Sequence, residues 1–407
     1  METLSPLGWV LLVASWVVAL GWLWRVSTAL RGLSRMPDLM KQPAPLKSGS
    51  ESPVLAVVVP ARNEEESIEA TLRSLMAIEG LTIEIIAVDD RSTDGTGHIM
   101  DRLAAEAASG ALVSRNTLRI HHVEQLPEGW MGKTHAMALA AHMTATPWLL
   151  FTDADIVFRA DSLARALDFA ERSRADHLVV FPTLLFRSRG ERMMMSLLQA
   201  LAIWASRPWK VADPRARRDF LGVGAFNMIR RSAYDAIGGF EALRMEVLED
   251  VRLGYEVKHR GFAQRAAFGP ELLHLHWASG AFGILNNLTK NAFAIFRFQL
   301  APLLVAMLVL ALLCLLPFAG FLLTPWTGNW ILPASLLVLL SLLVLYRYYQ
   351  RFTGTSFLYA LTFPIAACLF LYAVLRSVAL TLFRGGVVWR GTLYPLRELR
   401  KQCGPLW

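Results

Sequence analysis

The chain has 407 residues, of which 54 % are hydrophobic and only 18 % are charged, and its formal net charge is +8. This composition is too apolar for an ordinary soluble enzyme, and the apolar residues are concentrated towards the two ends of the chain. The basic residues cluster beside the apolar segments and no nucleic-acid-binding module is visible, so we expect a lipid bilayer as a partner and no nucleic acid.

Residues 7–24 form an uncharged run of about 18 residues, close to the ~20 that span a bilayer as a helix. We predict a retained transmembrane anchor over residues 1–30, with a cleaved signal peptide as the alternative. Glu2 is the only charged residue before the run, whereas five basic residues follow it. The positive-inside rule therefore predicts an integral protein of the inner or cell membrane whose middle domain is cytoplasmic. These basic residues are Arg25, Arg31, Arg35, Lys41 and Lys47.

Prolines and a glycine indicate a linker over residues 31–53, after which strands and helices alternate. Apolar runs at residues 54–59, 83–88, 118–123, 148–152 and 177–181 predict five buried strands. This alternation predicts an α/β domain with a mostly parallel sheet over residues 54–298. The ligand crevice of such a sheet lies outside the carboxyl ends of its strands.

Residues 191–209 predict an apolar helix that lies in the membrane interface, with a core helix of the α/β domain as the alternative. Residues 299–383 are membrane-like again, with candidate spans at 300–323, 330–346 and 357–375. Three full crossings would place the basic tail, residues 384–407, outside, whereas its arginines favour the inside. Because Pro364 can break the last segment into a re-entrant hairpin, we favour an inside tail.

Polar residues follow the first two predicted strands. The first loop has backbone groups that line the crevice, and it consists of Pro60, Ala61, Arg62, Asn63 and Glu64. Asp89 and Asp90 end the second strand, where adjacent carboxylates can accept hydrogen bonds from a uracil N–H or from ribose hydroxyls. An N-cap of the following helix by Ser92, Thr93 or Asp94 is a structural interpretation that is compatible with this one.

Two further acidic pairs complete the pattern. Asp153 and Asp155 follow the fourth strand two residues apart, so both can bind one oxygen-preferring cation together with a diphosphate. Glu249 and Asp250 open a predicted helix, where the helix dipole alone would favour acidic residues. The functional alternative for this second pair is a general base that accepts the proton of an acceptor hydroxyl.

Together these motifs resemble family 2 glycosyltransferases of the GT-A fold, and the likeness covers about residues 54–298. The resemblance implies that the first loop, Asp89 and Asp90 hold the nucleotide of a UDP-sugar. It also implies that Asp153 and Asp155 bind Mg²⁺ or Mn²⁺, and that Asp250, next to Glu249, is the catalytic base. The implied fold is a GT-A domain with one N-terminal and about three C-terminal transmembrane or re-entrant helices.

The segment Gly129-Trp130-Met131-Gly132-Lys133 is similar to a G-W-x-G-K element of one membrane subgroup of this family. That subgroup includes ceramide glucosyltransferase and the hopanoid- and carotenoid-associated glycosyltransferases. By this resemblance Lys133 lies near the donor phosphates, with a solvated loop lysine as the alternative. Residues 222–227 and 238–240 match the acceptor-side pattern of the subgroup, and residues 388–394 are similar to its terminal W-K/R-G-R-x-Y element, with Thr392 replacing the usual arginine.

The chain also departs from the family pattern. Relatives often carry a Q/R-x-x-R-W signature after the base, whereas residues 286–293 of this chain lack it. Lys290 can supply the cation that faces the leaving diphosphate, or it can be a lysine that extends to the membrane interface. One of His274 and His276 can join the metal ligands, for which we name His276, or either can be a hydrogen-bonded structural histidine.

The resemblance implies an inverting, metal-dependent enzyme that moves a single sugar from a UDP-sugar to a hydroxyl of a membrane lipid or isoprenoid at the cytoplasmic leaflet. Such an activity belongs to glycolipid biosynthesis. Two alternatives remain. One is a polyprenyl-phosphate sugar transferase, whose acceptor is already an anion, and the other is a non-catalytic membrane protein that binds a nucleotide-sugar and regulates a partner.

Overall fold

A computed structural model describes residues 4–43, 52–110 and 114–402. Glu2, Lys47, most of the second half of the predicted linker and the last five residues of the tail lie outside the described residues. The strands are β1 Leu55–Ala61, β2 Ile83–Asp90, β3 Thr117–Val123, β4 Trp148–Phe151, β5 Ile156–Phe158, β6 His177–Phe181, β7 Thr183–Leu184, β8 Asn227–Arg230, β9 Gln264–Phe268, β10 Leu273–Leu275, β11 Gly386–Trp389 and β12 Thr392–Pro395. The helices are α1 Pro6–Leu33, α2 Ile68–Met76, α3 Thr96–Ala108, α4 Gly132–His142, α5 Ser162–Arg172, α6 Arg189–Ala205, α7 Arg231–Ala236, α8 Glu249–His259, α9 Gly280–Ile295, α10 Leu300–Cys314, α11 Gly320–Thr327, α12 Ile331–Thr353, α13 Phe363–Arg384 and α14 Leu396–Gln402.

The central sheet has seven strands in the order β3-β2-β1-β4-β8-β6-β9. All neighbours are parallel except at β8, which runs antiparallel to both β4 and β6. The five strands predicted from the sequence are present, and the mostly parallel sheet is confirmed. The strand order reverses at β1, where β2 lies on one side and β4 on the other. A ligand crevice is expected at the carboxyl ends of these two neighbours.

Helices cover both faces of this sheet, so successive residues of a strand pack alternately into two cores. In β1, Leu55, Val57 and Val59 pack with helices α2, α3 and α5. Ala56 and Val58 face the opposite side and pack with α4, α7 and α8. Such continuous apolar strands, buried on both faces, are typical of parallel sheets. Strands β5, β10 and β7 form a second, three-stranded sheet beside the first.

The N-terminal helix α1 is joined directly to the edge of the central sheet. The N–H of Leu39 donates to the carbonyl of Phe268 in β9 at 2.8 Å, and the N–H of Phe268 donates to the carbonyl of Pro37 at 2.8 Å. These bonds follow α1 by only four residues. The described part of the predicted linker is therefore hydrogen-bonded to the central sheet. The predicted domain boundaries stay predictions.

Three stretches are long and apolar enough to cross a membrane, namely Pro6–Leu33, Leu322–Thr353 and Phe357–Arg384, and Leu300–Cys314 is a shorter apolar helix. The predicted single span at 300–323 is wrong as a continuous helix. Helix α10 ends at Cys314, and a 3-10 turn that contains Pro317 separates it from α11. A proline lacks the N–H that would continue the helical hydrogen bonds, which accounts for the break.

Helices α10 to α12 form a long hairpin beside α1. Its turn lies next to the start of α1, where the carbonyl of Trp326 packs directly against Gly8. Its returning arm ends at the α/β domain, where Phe352 stacks on Phe268 with 4.7 Å between the ring centroids. The α10–α11 arm therefore leads away from the α/β domain, and α12 leads back to it.

The last apolar segment begins beside the middle of α1 and ends at the α/β domain. Phe363, at the start of α13, packs edge to face on Trp22, part-way along α1. Helix α13 then runs beside α9, with a hydrogen bond from the N–H of Phe293 to Ser377 at 3.0 Å, and leads into β11. Pro364 lies in the first turn of α13, directly after the 3-10 helix Phe357–Thr362, so the apolar segment changes conformation beside this proline. The re-entrant hairpin stays a prediction.

Helix α6 occupies the predicted position of the interfacial helix. Its buried residues, including Met194, Leu197 and Leu201, pack in one cluster with α1, α9, α12 and α13. The Arg25 guanidinium of α1 is buried against α6, donating to the carbonyls of Ile203 and Ser206. Helix α6 thus lies between the α/β domain and the apolar helices, while its position in a membrane interface stays a prediction.

Candidate active site

A cleft of about 570 Å³ opens at the carboxyl ends of β1, β2 and β4. It is also bounded by the first turns of α4 and α8, by the loop before β8, by α9 and by the β11–β12 hairpin. Its charged lining residues are Arg62, Glu64, Asp90, Lys133, Asp153, Asp155, Glu249, Asp250, Lys290 and Arg390. At least one carboxylate of each acidic pair therefore lines the same cavity, although Asp90 and Asp250 are 160 residues apart in the sequence.

The first predicted group lies at the β1 and β2 end of the cleft. Pro60, Ala61, Arg62 and Glu64 line it, together with Asp90. An ion pair joins Arg62 to Asp90 at 3.6 Å, and Arg91 contacts the same carboxylate at 2.8 Å. Guanidinium groups thus hold Asp90 in place beside the cleft.

Two residues predicted to bind the donor do not line the cleft. Asn63 accepts a hydrogen bond from the N–H of Thr93 at 2.8 Å, and it adopts a left-handed backbone conformation with φ 54°. Asp89 accepts from the N–H of Ser92 at 3.1 Å and contacts His122 at 3.0 Å. In a β-strand adjacent side chains point to opposite sides, so Asp89 faces α3 when Asp90 faces the cleft. Both residues instead hold the loops that frame the site.

The Asp153–Asp155 pair lies at the end of β4, and the two carboxylates have opposite environments. Burial alone would raise the pKa of Asp153, but the contact with Lys133 lowers that pKa below its ordinary value. Burial and the neighbouring Asp153 charge raise the pKa of Asp155 to about 7. The Oδ1 atom of Asp155 is buried without a hydrogen-bond partner in the described part of the chain.

This unpartnered oxygen supports a cation site. Among the described residues no group of three or more His, Cys, Asp or Glu side chains is arranged to hold a metal ion alone. Mg²⁺ and similar ions, however, are commonly bound by one or two carboxylates together with substrate phosphates. The two aspartates fit this arrangement.

Lys133 lies at the centre of the acidic cluster. Its Nζ atom is 2.6 Å from Asp153 Oδ1 and 2.5 Å from Glu249 Oε1. Burial alone would lower the pKa of Lys133, but the surrounding carboxylates raise it, so the ammonium stays charged. Burial raises the pKa of Glu249 to about 7.

Asp250 projects from the first turn of α8. Burial also raises the pKa of this carboxyl above its ordinary value. Its Oδ1 atom accepts from the N–H of Val251 at 2.8 Å, which fixes its orientation. A carboxylate with a raised pKa accepts a proton more readily than an exposed one, as a general base requires.

Glycines let the polypeptide approach these groups closely. An ideal Cβ at Gly222 would lie 1.7 Å from the carbonyl oxygen of Asp250, and one at Gly132 would lie 1.9 Å from Asp90 Oδ2. At Gly224 it would lie 2.6 Å from Asp153 Oδ2. Any larger residue would therefore displace a carboxylate or the backbone of the site.

The β11–β12 hairpin closes one side of the cleft. Tyr394 accepts a hydrogen bond from the N–H of Gly132 at 3.2 Å, and Arg390 contacts the Glu64 carboxylate and the Arg62 carbonyl. Lys290 of α9 lies 5.3 Å from the ring centroid of Trp389. The sequence motifs assigned no site role to Trp389, Arg390 or Tyr394, although the tail's W-R-G-T-L-Y pattern was the signal that pointed to them.

His276 does not line the cleft. Its Nε2 atom is 3.4 Å from a Glu191 carboxylate oxygen in α6, and His274 contacts Glu271 at 3.1 Å. Leu275, between them, does line the cleft, because alternate residues of β10 face opposite sides. The structure therefore places the predicted histidine ligand away from the two aspartates.

The fold and the cleft are those of an α/β domain whose ligand site lies at the carboxyl ends of its strands. Residues 56–251, slightly less than half of the chain, match the model of glycosyl transferase family 2. This match confirms the family resemblance and the enzyme class expected from the sequence motifs. The helices α9 to α14 and the β11–β12 hairpin lie beyond the matched region.

The chain is similar to two curated relatives named 4,4'-diaponeurosporenoate glycosyltransferase. The Staphylococcus haemolyticus protein is 22 % identical over 212 residues, which cover 51 % of this chain and 52 % of that protein. The Staphylococcus aureus protein is 22 % identical over 201 residues, which cover 49 % and 50 %. The chain thus matches about half the length of these relatives, and their name agrees with the carotenoid-associated branch of the resemblance.

Among solved structures, the chain is similar to the mannosyltransferase PcManGT from Pyrobaculum calidifontis in complex with GDP-Man and Mn²⁺. The match has a TM-score of 0.50 and 17 % identity, and it covers 92 % of this chain and 99 % of that one. At this identity the likeness shows the fold alone, and it confirms the GT-A architecture.

Proposed function

We propose that the chain transfers a single sugar from a UDP-sugar to a hydroxyl of a membrane lipid or isoprenoid, with inversion, at the cytoplasmic leaflet. The observation that carries this proposal is that Asp90, Asp155 and Asp250 line one cleft. A single small molecule can therefore contact the nucleotide end, the cation site and the base. Relatives named for transfer to a carotenoid acid support a membrane-soluble acceptor.

The donor would lie along the carboxyl ends of the strands. Arg62 and Asp90 would contact the nucleoside, and the diphosphate would extend towards Asp153 and Asp155. These two aspartates would hold Mg²⁺ or Mn²⁺, which when bound neutralises the charge that develops on the diphosphate. The Mn²⁺ in the PcManGT complex supports a divalent ion in this fold.

Asp250 would accept the proton of the acceptor hydroxyl while that oxygen attacks the anomeric carbon. The bond between the anomeric carbon and the diphosphate oxygen would break in the same displacement, and UDP would leave. Lys290 and Arg390 would offset the negative charge on the departing diphosphate, since both line the cleft. One base and one good leaving group suffice, so no covalent sugar intermediate is required.

The acceptor would approach from the apolar helices. Trp277, Asn287 and Asn291 line the cleft on the side of α9, which packs against α6 and α13. A lipid could therefore place its reacting group near Asp250 while its chain stays among the apolar helices.

An anionic acceptor is a second candidate, and two observations favour it. The relatives are named for diaponeurosporenoate, a carboxylate. Lys290 also lines the cleft without an ion pair to any described residue, so an acceptor carboxylate or phosphate could be its partner. Such an acceptor needs no strong base, which separates the two candidates experimentally.

The test is transfer by the full chain purified in detergent. We expect UDP release from one member of a panel of UDP-sugars only when membrane lipid extract is present, and a lipid whose mass rises by one sugar. Removal of divalent ions with EDTA should stop the reaction, and Mg²⁺ or Mn²⁺ should restore it. Full transfer without any divalent ion would contradict the metal-dependent mechanism.

A further inference from the structure

Lys133 lies between Asp153, which the proposed mechanism uses to hold the cation, and Glu249, the residue before the proposed base Asp250. The turn that carries it is held firmly, since the N–H of Met131 and the hydroxyl of Thr134 both donate to the carbonyl of Arg244, at 2.8 and 2.7 Å. Only 21 % of the Lys133 side chain is exposed. The ammonium therefore stays with Asp153 and Glu249 as long as no other anion is bound beside it.

The two aspartates of the proposed cation site differ in their hydrogen-bond partners. Asp153 gives its Oδ1 atom to Lys133 at 2.6 Å, whereas Asp155 has a buried Oδ1 without a hydrogen-bond partner in the described chain. A divalent ion bound to both aspartates would share the Asp153 carboxylate with an ammonium only a few ångströms away. Like charges at such a distance repel strongly where water is largely excluded.

We propose that Lys133 is the internal counter-ion of Asp153, and that the donor diphosphate draws Lys133 away from it. The divalent cation and the nucleotide-sugar then bind as a pair. This inference rests on the proposed function, because it takes Asp153 and Asp155 as the residues that hold the cation. Without donor the cation competes with Lys133, and with donor the ammonium gains phosphate oxygens as partners.

The same arrangement has a reciprocal consequence. If the donor raises the affinity for the cation, the cation must raise the affinity for the donor by the same factor. Lys133 also contacts Glu249, the residue before Asp250, so its movement towards a bound diphosphate would take a compensating positive charge away from the carboxylates beside the base. Lys133 is therefore a positioning residue that couples donor binding to the cation site.

The experiment measures Mn²⁺ binding to the full chain in detergent by electron paramagnetic resonance of free Mn²⁺, with and without saturating UDP. In the unmodified chain we expect UDP to tighten Mn²⁺ binding by about tenfold or more, which is about 1.4 kcal/mol. Lys133→Met should tighten Mn²⁺ binding without UDP by about tenfold, and UDP should then add less than about threefold. Lys210→Met, at an exposed lysine near Asp213, is the matched control and should change neither value.

The outcomes separate this inference from the proposed function. If the unmodified chain fails to bind Mn²⁺ even with UDP, the cation site itself is wrong and both proposals fall. If Mn²⁺ binds but Lys133→Met leaves its affinity without UDP unchanged, only the role of Lys133 is overturned. Lys133→Gln serves as a second variant, and a thermal melting curve of each variant shows that it is folded.

Discussion

At the scale of single residues, a substitution at Asp250 distinguishes the two proposed kinds of acceptor, a hydroxyl and an anion. Asp250→Asn keeps the size of the side chain and removes the proton acceptor. For a hydroxyl acceptor we expect kcat to fall by about 10²- to 10⁴-fold, with a smaller change in the donor KM. Steady-state UDP release at varied donor concentration measures both constants.

The opposite result is equally informative. If Asp250→Asn keeps most of the activity, the acceptor is already an anion and the second candidate function is favoured. In that case Lys290→Met should raise the acceptor KM, because it removes the unpaired cation that would hold a carboxylate or phosphate.

A buried histidine makes stability depend on pH. His177 is buried, and burial lowers its pKa to about 4. It accepts from Gln264 at 2.8 Å and contacts Asn227 at 3.0 Å, an arrangement that suits the neutral imidazole. The unfolded chain binds a proton near pH 6.5 and the folded chain does not, so stability should fall as the pH drops from about 6.5 to about 4.

The slope of this loss is at most about 1.4 kcal/mol per pH unit for one proton. His177→Gln should flatten the dependence of the melting temperature on pH within this window, whereas the exposed His98→Gln should not. A slope that is unchanged in His177→Gln would assign the acid sensitivity to other groups. The measurement is intrinsic fluorescence during heating of the detergent-solubilised chain.

The sequence predicted most of the site residues because carboxylates at strand ends converge in a parallel sheet. Asp153, Asp155, Glu249 and Asp250 all reach the cleft. Asn63 and Asp89 do not, because their side chains contact Thr93 and His122 instead. These partners lie 30 and 33 positions away, so the contacts are invisible in a local pattern.

At the scale of elements, the β11–β12 hairpin is expected to contribute to donor binding. Arg390→Ala removes a cation from the cleft and frees the Glu64 carboxylate that it now contacts. The loss of a charge-assisted contact of about 1.5–3 kcal/mol should lower kcat/KM for the donor by about tenfold to a hundredfold. Donor kinetics and UDP binding measure the effect.

Arg397→Ala, an exposed residue of α14 outside the cleft, is the control for this change and should retain normal donor kinetics. Unaltered kinetics in Arg390→Ala would show that the hairpin is only a structural support. The contribution of this element could not be derived from spacing, because Gly132 and Tyr394 meet across 262 residues of chain.

The apolar segments show a similar limit of sequence reasoning. Hydropathy located them, but it placed one helix over residues 300–323 where the structure has a break at Cys314. Pro317 and Gly320 were visible in that run, and they were the local features that indicated the break. Helix α13 passes the same hydropathy criterion, whereas its packing beside α9 depends on contacts over more than 80 residues.

At the scale of the whole molecule, the arrangement of helices predicts the topology. The α10–α12 hairpin turns beside the start of α1 and returns to the α/β domain, and α13 begins part-way along α1 and leads back to the domain. We therefore expect the tail and the catalytic domain on one side of the membrane, opposite to the residues near Ser5 and Asn329.

Single cysteines in a background without the three native ones test this topology. Ser5→Cys and Asn329→Cys should react with a membrane-impermeant maleimide in intact cells. Ser356→Cys and Arg397→Cys should react only after permeabilisation. Labelling of Arg397→Cys from outside would mean that α13 crosses the membrane completely.

The overall architecture was the part best predicted from the sequence, since periodicity identified five strands and their alternation with helices predicted a mostly parallel sheet. Strand β8 was missed because its sequence, Asn-Met-Ile-Arg, is not a continuous apolar run, and its antiparallel pairing with β4 and β6 leaves no local mark. Strands β9 and β10 are also short, and they gain their stability from the sheets they join.

The two hydrogen bonds between Phe268 and the residues after α1 have one more consequence. They tie α1, the predicted membrane anchor, to the edge of the central sheet, so we expect the cleft to stay at a fixed distance from the membrane. An acceptor must then carry its reacting oxygen at a matching distance from its hydrophobic chain. Lipids of similar chemistry but with longer or shorter polar spacers would be poor substrates, because their reacting oxygen would not reach the cleft.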